Sequence, residues 1–365
     1  VTAFIDGSVI YGSDNKTATM IRQFKSGKLR MLKTPDGRDL LPPSTDPNDG
    51  CNRPQERARN RYCFASGDAR ANENLHLTTM HLLWARQHNQ IAGNLSRVNP
   101  HWHDEKIYQE ARRIIGAQMQ HITYNEFLPV IIGETEVESR NLKPLNGKDF
   151  RKIKEDVNPA IANNFATSAF RFAHTLLPGL MKMTDAQKGT ADYVELHRML
   201  FNPYSLYSKG GVESSIQSAT SNNIQMTSPH VTSELTRHLF EDPTEHKDKP
   251  FIPCGLDLVS LNIQRGRDHG LPGYTKWREY CNLTKPETFE ELEGVWNYET
   301  LKDIQGIYSD IDDVDLYTGA LAEETSADGI VGPTFTCLIG QQFQRLQEGD
   351  RYWYEAEDQP YPFSP

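Results

Sequence analysis

The sequence predicts a mainly α-helical protein folded as one large domain, with little β structure, and three observations predict it. Two long segments carry apolar residues at helical spacing, a third is apolar almost all round, and strand-type alternation is scarce. The first long helix runs from about Asn74 to Val98, with Leu75, Leu82, Leu83, Ile91 and Leu95 apolar. The second runs from about Asp104 to Phe127, where Tyr108, Ala111, Ile115, Met119 and Ile122 line one face. The third, about Pro159 to Leu177, holds Ile161, Phe165, Ala169, Phe170, Phe172, Ala173 and Leu176. A helix with so little polar face is a buried one, and Pro178-Gly179 stops it. Shorter helices are predicted near Glu213–Ala219, Thr232–Phe240, Tyr274–Cys281, Phe289–Trp296 and Pro333–Leu346. Stretches rich in Pro, Gly, Asn and Asp predict loops over about Pro35–Asn60 and Glu241–Pro253. No internal repeat or low-complexity linker divides the chain, so residues 1–365 read as one domain.

Composition narrows the function. Lys plus Arg number 39 and Asp plus Glu 49, a formal charge of −10. That balance argues against a surface built to neutralise nucleic-acid phosphates. No apolar run approaches the ~20 residues of a bilayer crossing, and Leu128–Ile132 already contains Pro129. No charged leader with an apolar core is visible, and the chain opens on Val1-Thr2-Ala3-Phe4 without Met, as a processed or incomplete product would. Five cysteines (Cys51, Cys63, Cys254, Cys281 and Cys337) lack the CxxC spacing of zinc sites. Cys51 and Cys63 bracket a polar loop and could form a local bridge; Cys281 and Cys337 could form a long-range one, leaving Cys254 over. Sequons at Asn15, Asn94 and Asn282, with these cysteines, favour an oxidising, secreted setting.

Four constellations could carry chemistry. Thr2, the Phe4 carbonyl, Asp6 and Ser8 place oxygen donors at alternate positions, the ligand type of Ca²⁺, although one carboxylate is too few for a site by itself. Arg70 and Glu73 lie three apart at the start of the first long helix, so a surface ion pair is the plain reading. His174 lies in the apolar third helix with Arg171 one turn before it. It reads as a satisfied core histidine or as an axial haem ligand, with Arg171 reaching an anionic propionate. Finally, Leu261–Gly270 packs Asn262, Arg265, Arg267, Asp268 and His269 into ten residues, for which a buried Arg267–Asp268 ion pair is the structural explanation.

Together these segments resemble the animal haem peroxidases of the peroxidase–cyclooxygenase superfamily. The resemblance rests on Thr2–Ser8 with Tyr11-Gly12-Ser13, Gly67–Glu73, Leu83–Asn89, Phe170–Thr175, Leu261–Tyr274 and Glu348–Tyr354, in family order along nearly the whole chain. It is most similar to the secreted arthropod members of chorion-peroxidase or peroxinectin type. The resemblance implies that His174 is the proximal ligand of the haem iron. It implies that Asn262 accepts a hydrogen bond from the other ring nitrogen of His174, and that Arg70 polarises the peroxide bond on the distal side. Glu73 would form an ester to haem b, Arg171 and Arg265 would pair with its propionates, and Thr2, Phe4, Asp6 and Ser8 would bind calcium. Cys51–Cys63 and Cys281–Cys337 match family disulfides. The implied activity is reduction of hydrogen peroxide through an oxyferryl intermediate, with oxidation of phenolic or tyrosyl donors or (pseudo)halides.

Two departures matter. The residue after Glu73 is Asn74, not the Met that forms a sulfonium link in the myeloid member, which disfavours chloride as donor. The family's distal His, a second ester-forming Asp and a further calcium-binding Asp precede the calcium loop, and none of the twelve histidines here sits in such a motif. A separate light chain or another upstream segment is therefore expected as a partner, and the family's C-terminal tail is read as cut. Dimerisation is open. Two rival readings are an adhesion or matrix-binding protein on this scaffold and a fatty-acid dioxygenase. No Arg-Gly-Asp tripeptide supports the first, and no Tyr stands in Phe165–Ala173 for the second.

Overall fold

The computed structural model describes residues 1–44, 51–145, 147, 149–184, 189–241 and 255–363. Cys254 and most of the Glu241–Pro253 loop lie outside the described residues. Helices dominate, as predicted. The strands pair as two antiparallel hairpins, Leu32–Lys33 with Asp39–Leu40 and Leu180–Thr184 with Ala191–Glu195. The chain divides into two compact units, one of Val1–Met119 with Gly179–Asn223 and one of Gln120–Pro178 with Ile224–Pro365.

In the first unit, the helix Leu75–Val98 begins where Asn74 caps it, its side chain accepting from the His76 N–H at 2.8 Å. The helix Asp104–Ile122 opens on two acidic residues, which favour its positive end. Ala92 packs against Ile107 and Ala111, with Ile91, Leu95 and Trp102 around them. Arg22 clamps the start of the second helix, reaching Asp104 at 2.9 Å and Glu105 at 2.6 Å. The Cys51–Cys63 disulfide forms and packs on Tyr204, whose hydroxyl donates to the Cys51 carbonyl at 2.6 Å.

The α-helix does not run unbroken to Phe127. Thr123–Phe127 is a π turn, followed by the helix Leu128–Ile132. Pro129 cannot donate back to Asn125 and crowds its carbonyl, and a widened turn accommodates both effects.

In the second unit, the single helix predicted over Pro159–Leu177 is two pieces, an α-helix Asn163–Thr167 and a 3₁₀ helix Ala169–Leu176. They meet at Ser168, which leaves helical geometry at φ −141°, ψ −69°. The Thr167 hydroxyl bonds back to the Asn163 carbonyl at 2.6 Å, and the Arg171 guanidinium takes the Ala166 carbonyl at 3.0 Å, so side chains replace part of the backbone ladder. Pro333–Gly349 is the buried helix of this unit, with Phe335, Leu338, Ile339, Phe343 and Leu346 in the core. Glu323 is fully enclosed. It accepts from Arg278 at 2.7 Å, Tyr274 at 2.8 Å and both the N–H and hydroxyl of Thr334. Cys281–Cys337 forms the second disulfide.

Candidate functional site

In the second unit the 3₁₀ helix carrying His174 and the helix Leu258–Asp268 bring His174, Asn262 and Arg171 together. Asp257 caps the latter helix by accepting from the Val259 and Ser260 N–H groups at 3.0 and 3.2 Å. One turn and a half later Asn262 is fully buried. Its Nδ2 lies 3.0 Å from His174 Nδ1, and its Oδ1 accepts from Arg171 at 2.8 Å. A guanidinium has donors only, so the amide oxygen turns to Arg171 and the amide nitrogen is left for the imidazole. Asn262 donates in this contact, whereas the resemblance implies that it accepts.

His174 Nε2 has no hydrogen-bond partner among the described residues. Burial and the Arg171 charge push the ring down to about 4, so it is a neutral imidazole, and with Nδ1 accepting from Asn262 its proton sits on Nε2. Among the described residues the Arg171 side chain contacts only neutral groups, and burial and the nearby Arg265 lower its pKa. Arg265 is exposed one turn after Asn262 and has no carboxylate partner among the described residues. Two guanidiniums without a carboxylate partner among the described residues, and a neutral imidazole whose Nε2 meets no protein group and is open to a metal once the ring proton moves to Nδ1, fit a metal macrocycle that carries carboxylates.

The Leu261–Gly270 ion pair is not Arg267 with Asp268. Arg267 forks onto Asp315 at 2.9 and 2.6 Å and is half exposed, and Asp268 accepts from Gln264 at 2.7 Å. A cavity of about 550 Å³ lies against Asn262, with Ser168, Arg267, Asp315 and Tyr317 also in its wall. Tyr317, whose hydroxyl is pushed up to about 12 by burial and eased by Asn262, had no signal in the sequence.

Arg70 and Glu73 belong to the first unit. The short 3₁₀ helix Ala69–Asn72 is capped by Asp68, and Glu73 follows it. Arg70 does not pair with Glu73. It forks onto Asp68, Nε to Oδ1 at 3.1 Å and Nη2 to Oδ2 at 2.8 Å, with its side chain 65% exposed. Asp68 sits inside the quoted motif but carries no role there; its Asn/Asp capping position was the readable signal. The Glu73 carboxylate has no hydrogen-bond partner among the described residues. Burial raises its pKa, with Arg70 opposing and Asp68 adding.

The same segment backs onto the N-terminal loop. A Cβ on Gly67 would stand 2.3 Å from the Gly12 nitrogen, so only glycine permits the approach. In that loop Thr2 Oγ1 is 2.9 Å from Asp6 Oδ2 and 3.4 Å from both the Phe4 carbonyl and Ser8 Oγ, so the four predicted oxygens converge. Among the described residues no group of three or more His, Cys, Asp or Glu could hold a metal ion, and Asp6 remains the loop's one carboxylate.

Comparison with known proteins places the chain among peroxidases. The chain is 40% identical over 373 residues to a peroxidasin homolog of Homo sapiens, covering all of this chain and 24% of that protein. It is 38% identical over 367 residues to the chorion peroxidase of Drosophila melanogaster, covering all of this chain and 43% of that one. The chain thus spans a quarter to less than half of these relatives' length. Among solved structures, peroxidase A from Dictyostelium discoideum superposes with a TM-score of 0.82 at 31% identity, over 97% of this chain and 64% of that one. The family model described as animal haem peroxidase matches residues 1–365. With that match running through both the His174 and Arg70 segments, the chain belongs to the animal haem peroxidase family.

Proposed function

We propose that this chain is the catalytic domain, residues 1–365, of a haem-dependent peroxidase that reduces hydrogen peroxide and oxidises phenolic donors or (pseudo)halides. The observation that carries the reading is the neutral His174, held at Nδ1 by Asn262 and Arg171, with Nε2 meeting no partner among the described residues. Haem b, when bound, supplies the redox chemistry. His174 holds it through Nε2, and Arg171 and Arg265 receive its propionates. Pairing of Arg171 with an anion releases the Asn262 oxygen, and a half-turn of that amide lets it accept from His174 Nδ1–H. The ring proton is then fixed on Nδ1 and the lone pair on Nε2.

Arg70 supplies positive charge to the leaving oxygen of peroxide. For that it exchanges Asp68 for the substrate, and an exposed guanidinium does so at little cost. Glu73, unpaired and half-buried, is the carboxyl for an ester link. Asn74 is occupied as a helix cap, which agrees with bromide, iodide, thiocyanate or phenols as donors in place of chloride. The proton-accepting distal base comes from a partner segment or chain beyond these residues. Thr2, Phe4, Asp6 and Ser8 bind Ca²⁺ together with a carboxylate from that partner. The two disulfides and three exposed sequon asparagines, Asn15, Asn94 and Asn282, support an extracellular or secretory-granule location.

The test is the visible spectrum of the protein purified with the segment that supplies the distal base, wild type and His174→Ala, before and after peroxide. The expected wild type shows a Soret band that shifts with peroxide and returns on adding iodide, and His174→Ala loses haem and turnover. An unchanged spectrum and turnover in His174→Ala would sink the proximal assignment.

A further inference from the structure

An unbroken run of aromatic rings leads away from the His174 helix inside the second unit. Phe170 lies four residues before His174, with its ring 6.0 Å from Phe343 between centroids. Phe343 is 5.8 Å from Tyr124, Tyr124 is 4.7 Å from Trp353, and Trp353 is 5.6 Å from Tyr354. Tyr354 is 6.0 Å from His121, whose ring is exposed. Trp353 and Tyr124 are fully buried, and Tyr354 is half-buried at the outer end.

The polar atoms along the run suit proton-coupled oxidation at its outer end and not in its middle. Tyr124 donates to the Phe343 backbone carbonyl at 2.6 Å, a poor proton acceptor. Trp353 Nε1 donates to the Glu355 carboxylate at 3.0 Å. The Tyr354 hydroxyl lies 3.0 Å from His121 Nδ1 and 3.3 Å from Glu355 Oε1, so its proton has two bases within reach.

We propose that Tyr354 is a second oxidation site, wired to the cofactor through Trp353 and Tyr124, for phenolic groups on donors too bulky to enter the haem pocket. This rests on the peroxidase reading, which supplies the oxidant. Trp353 gives one electron toward the peroxide-oxidised cofactor, and its indole proton passes to Glu355. Tyr354 then reduces the indolyl radical, Glu355 returns that proton to Nε1, and the Tyr354 hydroxyl proton moves to His121 and on to solvent. The net loss is one electron and one proton from Tyr354. A phenolic donor supplies one electron and one proton and restores the hydroxyl. Burial and the Glu355 charge raise the Tyr354 pKa, so the phenol gives up its proton together with the electron and not before it.

The experiment uses the haem-loaded protein with peroxide, a spin trap located by mass spectrometry, and two donors, iodide and a phenol tethered to dextran. The wild type is expected to carry the trap on Tyr354. Tyr354→Phe is expected to oxidise the tethered phenol about tenfold more slowly while oxidising iodide at the wild-type rate. Trp353→Phe should lose the trap signal at Tyr354 although the tyrosine is present, and Tyr352→Phe should change nothing. Iodide turnover without a trapped Tyr354 radical overturns the relay alone, as does a Tyr354→Phe variant that oxidises the tethered phenol at full rate. With the segment that supplies the distal base present, absence of iodide turnover overturns the peroxidase reading and the relay with it.

Discussion

The buried His88 and the half-buried His174 are both pushed down to about 4, and their neighbours set them apart. His88 has both nitrogens engaged. Its Nε2 faces the Gly27 carbonyl at 2.8 Å, which can only accept, so Nε2 carries the proton. Its Nδ1 accepts from the Tyr11 hydroxyl at 2.8 Å. His174 has only Nδ1 engaged among the described residues, and this open Nε2 is what the proposed ligand role needs. For His88, burial is the larger cause and the Arg22 charge adds to it, with the Gly27 carbonyl opposing. The unfolded chain therefore binds a proton between about pH 6.5 and 4 that the folded chain refuses. Stability is full above pH 6.5 and falls as pH drops through that window, by about 3 kcal/mol from this ring. Denaturant unfolding at a series of pH values should show the loss. His88→Gln, which cannot charge, should be less stable at pH 7 and have a flatter profile. A profile as steep as wild type would assign the acid loss to other groups.

At the scale of elements, the site depends on how two short helices begin and break. Asp257 satisfies the first N–H groups of the helix that presents Asn262, so Asp257→Ala should cost about 1 kcal/mol. Amide exchange should quicken over Leu258–Asp268 and remain unchanged over Pro333–Gly349; equal change in both helices would mean a global effect in place of a lost cap. Periodicity made the Leu75–Val98 and Pro333–Gly349 helices legible, because each has one face in a core. It misled over Pro159–Leu177, where apolar residues continue through a backbone break set by the Thr167 and Arg171 side chains. The helix Leu258–Asp268 read as an apolar run followed by a charged turn, since Gln264, Arg265, Arg267 and Asp268 are all exposed on it and only Asn262 is buried. The hairpin Leu180–Glu195 gave no alternating signal because most of its residues are exposed or half-buried on both faces. The site residues were legible as a set of motifs. The Asp68 fork on Arg70 and the reversed Asn262 amide were not, because both depend on which partner a flexible guanidinium reaches.

Over the whole molecule, each compact unit carries one disulfide, Cys51–Cys63 in the first and Cys281–Cys337 in the second. The residues alone make both pairings plausible, the family resemblance selects them, and both pairs are joined at Cα separations of 6.0 Å. Their sequence separations are 12 and 56 residues. If a cross-link acts mainly on the unfolded chain, the shorter loop stabilises by about 3 kcal/mol and the longer by about 4 kcal/mol. Cys281→Ala/Cys337→Ala should therefore unfold at lower denaturant than Cys51→Ala/Cys63→Ala. The second unit holds His174, Asn262 and Arg171, whereas the first holds Arg70 and Glu73. Loss of the longer bridge should then release haem in the same transition that unfolds the chain, and loss of the shorter should leave the His174 linkage intact to higher denaturant. Tracking the Soret band and helical signal together separates the two. If the Cys51–Cys63 variant is the weaker, strain or packing around Tyr204 outweighs loop entropy, and the ordering argued from chain length fails.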